Sequence, residues 1–127
     1  MDELLARVTQ ATGLEAATAK KAIGLILNFL KKEGPPEQVN QLLAAMPGAE
    51  EVMAQAGGGS SGGGLMGMMG GLGGGVMALG GQLMGAGVSP NQMQPLGREL
   101  FAYGREKAGE DVMGSIVGSI PGLTQFV

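Results

Sequence analysis

Apolar residues recur along this chain at intervals of three and four, the spacing that places side chains on one face of a helix. Alternating apolar and polar positions, which are typical of a half-buried strand, are rare. The helical stretches cover residues 2–12, 15–33, 37–46, 76–84, 90–108 and 110–120, with one further short turn or helix over 49–54. The sequence therefore predicts an all-α fold.

Local residues predict where several of these helices begin and end. Ser89, Pro90 and Gln92 have the types and spacing of a capped helix start. Thr12 and Glu15 also match a capping box, so the second helix has two possible starts. An internal alignment of the chain favours Glu15.

That alignment pairs residues 13–52 with residues 87–126 at a constant offset of 74 and without gaps. Phe29 pairs with Tyr103, and Pro47-Gly48 pairs with Pro121-Gly122. The short helix over 76–84 corresponds to the one over 2–12 only after a slip of one residue. A shared apolar pattern with shared proline and glycine predicts one unit of about three helices present twice, since neither copy buries its apolar face alone. The predicted division is a first repeat over 1–56, a Gly/Ser linker over 57–64, and a second repeat over 65–127.

A Gly/Met-rich segment joins the two repeats. No residue between Glu51 and Arg98 is charged. Glycine recurs there every four residues, and such spacing leaves a flat helix face that another backbone can approach. Gly81 and Gly85 continue the same spacing. We predict a helix–helix contact surface, within the chain or between copies, formed by Gly63, Met66, Gly67, Met69, Gly71, Leu72, Gly75, Val76, Leu79 and Leu83.

Two other interpretations of this segment remain open. A run of about 20 uncharged residues is long enough to span a bilayer, but the flanks carry neither a basic cluster nor aromatic residues. The segment also has the composition of a flexible linker followed by a helix of low stability.

Composition excludes several kinds of chemistry. The chain of 127 residues has no cysteine and no histidine, which removes disulfides, the usual zinc ligands and histidine-dependent triads. Its net charge is −3 and its basic residues are dispersed, so we expect no nucleic-acid partner. The acidic start Met1-Asp2-Glu3 is unlike a secretory signal, and we expect a cytoplasmic protein.

No motif predicts catalysis or a cofactor. Gly62-x-Gly64-x-x-Gly67 matches a dinucleotide fingerprint only formally, because no strand precedes it. Ser115 and Ser119, beside Gly114 and Gly118, are interpreted as small residues at a helix crossing. The adjacent acids Glu50-Glu51 and Glu110-Asp111 favour the helix dipole at helix starts. Arg98, Glu99, Arg105, Glu106 and Lys107 are interpreted as a solvated face of mixed charge.

The repeated unit resembles known families in its packing and turn residues. These are Gly13-Leu14 through Met46-Pro47-Gly48, and Gly87-Val88-Ser89-Pro90 through Ile120-Pro121-Gly122. They resemble the YidB-like and the VcgC/VcgE-like groups of small bacterial helical proteins. The resemblance implies a bacterial helical domain without an assigned activity, so it supplies no functional residues.

We therefore predict a non-enzymatic helical protein that acts through self-association or contacts with another protein. The alternative is a binding module for lipid, a membrane surface or an apolar peptide, which would use the adaptable methionines as its lining. An enzyme with a carboxylate-only site is the third hypothesis.

Overall fold

The computed structural model describes residues 2–54, 75–120 and 122–123, and all regular structure within these ranges is helical. The prediction of an all-α fold is confirmed for this part of the chain. The predicted linker, 57–64, lies outside the described residues. The helices are α1 Asp2–Thr12, α2 Ala16–Glu33, α3 Pro36–Ala45, α4 Ala49–Met53, α5 Gly75–Ala86, α6 Pro90–Ala108 and α7 Glu110–Ser119.

The two possible starts of α2 are resolved in favour of Glu15, which is its N-cap residue. The Thr12 hydroxyl instead serves the end of α1: it donates to the Val8 carbonyl at 2.6 Å and accepts from the Leu14 N–H at 3.2 Å. Thr12 therefore closes one helix rather than opening the next, because its hydroxyl bonds back to its own helix and accepts the N–H of Leu14, which lies between the two helices.

The predicted capping arrangement at the start of α6 is present. The Ser89 N–H donates to Oε1 of Gln92 at 3.0 Å, and the Ser89 hydroxyl lies 3.1 Å from the same oxygen. Pro90 occupies the first helical position, where its missing N–H removes no helical hydrogen bond.

The two halves of the chain are packed into one another. α1 makes its most extensive contact with α6, α2 contacts α5, and α3 contacts α7. The first helix of each half therefore lies mainly against the second helix of the other half. The short helix α4 packs on α2, where the Asn28 amide donates to the Met53 carbonyl at 3.0 Å. Asn28 is half-buried, and this backbone carbonyl near the end of α4 takes up its amide.

Helix starts and glycine conformations recur at one spacing. α6 and α7 begin at Pro90 and Glu110, each 74 residues after the start of α2 and α3. Of the five described glycines with positive φ, all but Gly109 fall into two pairs with the same separation: Gly13 (+77°) with Gly87 (+108°), and Gly48 (+88°) with Gly122 (+83°). Glycine suits all four turns because side chains rarely adopt this backbone region.

One apolar core runs through both halves. Leu27 of α2 and Phe101 of α6 belong to this core. Leu4 and Val8 of α1 are fully buried, as are Leu79 and Leu83 of α5. These two pairs are 75 residues apart, one residue more than the helix starts. The fully buried large side chains are Leu4, Ile23, Ile26, Leu27, Leu30, Leu42, Met46, Leu79, Leu83, Leu96, Leu100 and Phe101.

Candidate functional site

α5 is the described part of the segment for which a contact surface was predicted. Its inner face packs against α2 and α6, with Leu79 and Leu83 only 1% and 0% exposed. Both residues belong to the predicted surface, and the structure places them in the chain's own core. The other members lie at or before the start of α5: Gly75 is its first residue, and the side chain of Val76 is outside the described residues.

Six members of the predicted contact surface lie outside the described residues. They are Gly63, Met66, Gly67, Met69, Gly71 and Leu72.

The outer face of α5 is uncharged and open. Gly81, Gln82, Met84 and Gly85 are exposed. Met84 is 57% exposed, and among the side chains that the structure describes it is the one large apolar group left in that state. We call Gly81, Met84 and Gly85 the α5 outer face.

The glycines of this face are not required by packing within the described chain. A Cβ atom built on Gly80, Gly81 or Gly85 would have no neighbouring atom within 4 Å. A glycine inside a helix costs about 0.8–1 kcal/mol relative to alanine. These glycines therefore lower the stability of α5, and no contact within the described chain requires a glycine at their positions.

Gly104 shows what a glycine at a real helix crossing looks like in this fold. A Cβ atom there would lie 2.7 Å from Sδ of Met113 and 3.0 Å from Cδ1 of Leu42, where α3, α6 and α7 meet. Gly114 and Gly118 of α7 are exposed, and a Cβ atom on either would have nothing within 4 Å.

The interpretation of Gly114, Ser115, Gly118 and Ser119 as residues at a helix crossing is therefore wrong for the described chain. All four are exposed on α7. The four-residue spacing correctly predicts that these small residues lie on the same side of α7. It does not determine whether another helix lies on that side.

α1 packs on α6 as α5 packs on α2, but a charged residue of α1 forms ion pairs with α6 beside this contact. Arg7 Nη1 lies 2.6 Å from Oε2 of Glu106, and Arg7 Nε lies 3.4 Å from Oε2 of Glu99. The Arg7 guanidinium and the Lys107 ammonium lie 5.9 Å and 5.5 Å from the centre of the Tyr103 ring. The hydrogen bond to Glu106 and the charges of both acids raise the pKa of Arg7 above its ordinary value.

Part of the mixed-charge face predicted on α6 thus forms ion pairs with α1 rather than facing solvent alone. Glu99 and Glu106 bind α1, while Arg98, Arg105 and Lys107 are exposed. Sequence reasoning missed Arg7 as their partner because 92 and 99 residues separate it from these acids. No local spacing carries that information.

A shallow depression of about 270 Å³ lies where α1, α2 and the start of α4 meet. Asp2, Leu5, Lys20, Gly48, Glu51 and Val52 line it. Charges of both signs are mixed around an open rim, and Glu51 already has an interaction in the structure. The depression therefore has no convergent set of groups aimed at one ligand.

The acidic pairs lie where the helix-dipole argument predicts. Glu50 and Glu51 are in the first turn of α4, and Glu110 and Asp111 are in the first turn of α7. Within the described ranges, no three acidic residues converge as metal ligands would. Nor is any described helix both long enough and apolar enough to cross a membrane.

No protein-family model, curated protein sequence or solved structure matches this chain. The α5 outer face is the candidate site that the geometry supports, because it combines an exposed methionine with glycines that no described contact requires.

Proposed function

We propose that this protein is a non-enzymatic helical protein that associates with copies of itself through the α5 outer face. The observation that carries the proposal is the open space above Gly81 and Gly85, with Met84 exposed between them. Small residues four positions apart let a second backbone approach closely, and a methionine side chain adapts its shape to the surface it meets.

A comparison between the halves supports this proposal. At the separation of 75 residues that relates Leu4 and Val8 to Leu79 and Leu83, Gly81 and Gly85 correspond to Ala6 and Gln10, so the first half has side chains where the second half has glycine. With Gly80 included, the three interior glycines cost α5 about 2–3 kcal/mol of helix stability relative to alanine. Dispersion and close packing in a helix–helix contact between copies would offset this cost.

We further propose that the fold is a duplicated unit of about three helices. The recurrence of helix starts and of positive-φ glycines at one spacing supports this idea, as does the pairing of each first helix with the other half's second helix. A repeated unit that cannot bury its apolar face alone is stabilised when a neighbouring copy covers that face. The relation to the YidB-like and VcgC/VcgE-like groups stays a prediction.

Sedimentation equilibrium over a wide range of protein concentration tests the self-association. We expect the wild-type chain to form a dimer or larger species, and Gly81→Leu and Gly85→Leu to weaken the association at least about tenfold by blocking backbone approach. Ala6→Leu is the matched control, because it adds bulk at the exposed position equivalent to Gly81 and should leave the association unchanged. Circular dichroism checks that each variant is folded.

A wild-type chain that remains monomeric at millimolar concentration would contradict the proposal. The same apolar surface could instead receive a lipid, as the exposure of Met84 allows. Self-association is favoured because the described part of α5 has no basic residue to meet an anionic membrane surface. Co-sedimentation of the monomer with vesicles of anionic lipid, lost in Met84→Ser, would indicate the lipid-binding function instead.

A further inference from the structure

The first helices of the two halves differ sharply in how they are attached. α1 is held by two buried apolar side chains, Leu4 and Val8, and by the ion pairs of Arg7. Its last carbonyl group, that of Thr12, accepts a hydrogen bond from Nε2 of Gln92 at 2.9 Å. α1 is therefore attached to α6 by apolar, ionic and hydrogen-bonding contacts together.

α5 has only the first kind of attachment among its described side chains. Leu79 and Leu83 are buried, but no side-chain hydrogen bond or ion pair joins residues 79–86 to another helix. Three interior glycines also lower the intrinsic stability of this helix. Helices with few buried contacts and a low propensity belong to the part of a structure that opens locally at the smallest cost.

We propose that α5 is a releasable helix, which leaves α2 and α6 while the other described helices stay folded. Release exposes Leu79 and Leu83 together with the part of the core they cover. Because α5 unfolds as it leaves, the chain would thereby present apolar surface on an uncharged segment in a minor, reversibly populated state. This proposal is independent of self-association, since it concerns a single chain in dilute solution.

Amide hydrogen exchange of the full chain, followed residue by residue by NMR, tests the release. The measurement is made at a concentration where sedimentation shows a monomer, so that association does not protect α5. We expect the amides of α5 to exchange at least about tenfold faster than those of α1, and with a weaker dependence on denaturant than the amides of α2 and α6.

Two sets of glycine substitutions separate local release from unfolding of the whole chain. Replacing Gly80, Gly81 and Gly85 by alanine should slow exchange in α5 about 60- to 125-fold, because each change favours the docked helix about four- to fivefold. Gly114→Ala with Gly118→Ala in α7 is the control. It should slow the most protected amides of α2 and α6 about 15- to 25-fold and leave those of α5 unchanged, since α7 stays folded when α5 leaves.

Two results would overturn the proposal. One is equal exchange in α1 and α5 of the wild-type chain. The other is a slowing of α5 exchange by the α7 variant in step with α2 and α6, because α5 would then open only when the whole chain unfolds.

Discussion

Gln92 joins the two halves of the chain by reaching Thr12, with Nε2 donating to the Thr12 carbonyl at 2.9 Å. The Oε1 atom of the same side chain accepts the Ser89 N–H at 3.0 Å, so one amide group caps the start of α6 and the end of α1. The Thr12 carbonyl lies in the last turn of α1, where carbonyl groups lack helical partners. Gln92 therefore both caps the start of its own helix and connects the two halves of the chain.

We expect Gln92→Ala to lower the free energy of unfolding by about 1–2 kcal/mol, because it removes both hydrogen bonds at once. Urea denaturation followed by circular dichroism measures the change. Gln94→Ala, at an exposed position two residues along the same helix, is the control and should change stability by less than about 0.5 kcal/mol. Equal effects of the two substitutions would mean that neither hydrogen bond of Gln92 contributes to stability.

The contact between Arg7 and Glu106 leads to a second prediction. A double-mutant cycle with Arg7→Met and Glu106→Gln should give a coupling energy of about 0.5–1 kcal/mol, a modest value because the Arg7 side chain is 28% exposed and that of Glu106 is 56% exposed. High salt should reduce it. Arg105→Met, at an exposed site on the same helix, serves as the control for loss of a cation.

The raised pKa of Arg7 fixes the sign of the pH dependence on its side of the pair. A group whose pKa is higher in the folded state than in the unfolded state stabilises the fold. For Arg7 this contribution is complete at pH values below the ordinary pKa of arginine, and it is lost only as the pH rises through the raised pKa. The Arg7 contribution should therefore stay constant from neutral pH to about pH 11. A coupling energy that declines between pH 7 and 9 would contradict this assignment.

The contrast between Gly104 and Gly114 leads to a third prediction, in which glycine-to-alanine substitution has opposite effects on stability at the two positions. Gly104→Ala should destabilise the chain by about 1 kcal/mol, because the new methyl group meets Met113 and Leu42, each only 1% exposed. Gly114→Ala should stabilise it by about 0.5–1 kcal/mol, since open space surrounds that position and alanine favours the helix. Thermal unfolding of both variants checks the pair. Stabilisation by Gly104→Ala would show that Met113 moves aside freely.

Sequence reasoning succeeded where the decisive chemistry is local. Ser89 and Pro90 mark the start of α6 by their own hydrogen-bonding and backbone properties, and the structure confirms that start. It failed where the decisive atom comes from elsewhere in the chain. Asn28 is attached to the Met53 carbonyl and Arg7 to acids on α6, and neither partner follows from helical periodicity.

The candidate site shows the same division. Four-residue spacing of glycine predicts a flat helix face, but the same spacing occurs on α5 and on α7 with no described helix above either face. The glycine that does lie in a tight crossing, Gly104, has no glycine four residues before or after it. Whether a glycine face is covered depends on how the helices cross, and helix crossings are a property of the folded chain.

The turn between α1 and α2 leads to a fourth prediction. Gly13 has a φ of +77°, and a Cβ atom there would meet nothing within 4 Å, so backbone conformation alone opposes a side chain. We expect Gly13→Ala to lower the free energy of unfolding by about 1–2 kcal/mol, and Gly13→Asn to cost clearly less, because asparagine tolerates the left-handed region better than alanine does. Urea denaturation of both variants distinguishes them. Equal losses would point to a steric cause that the open surroundings of Gly13 do not supply.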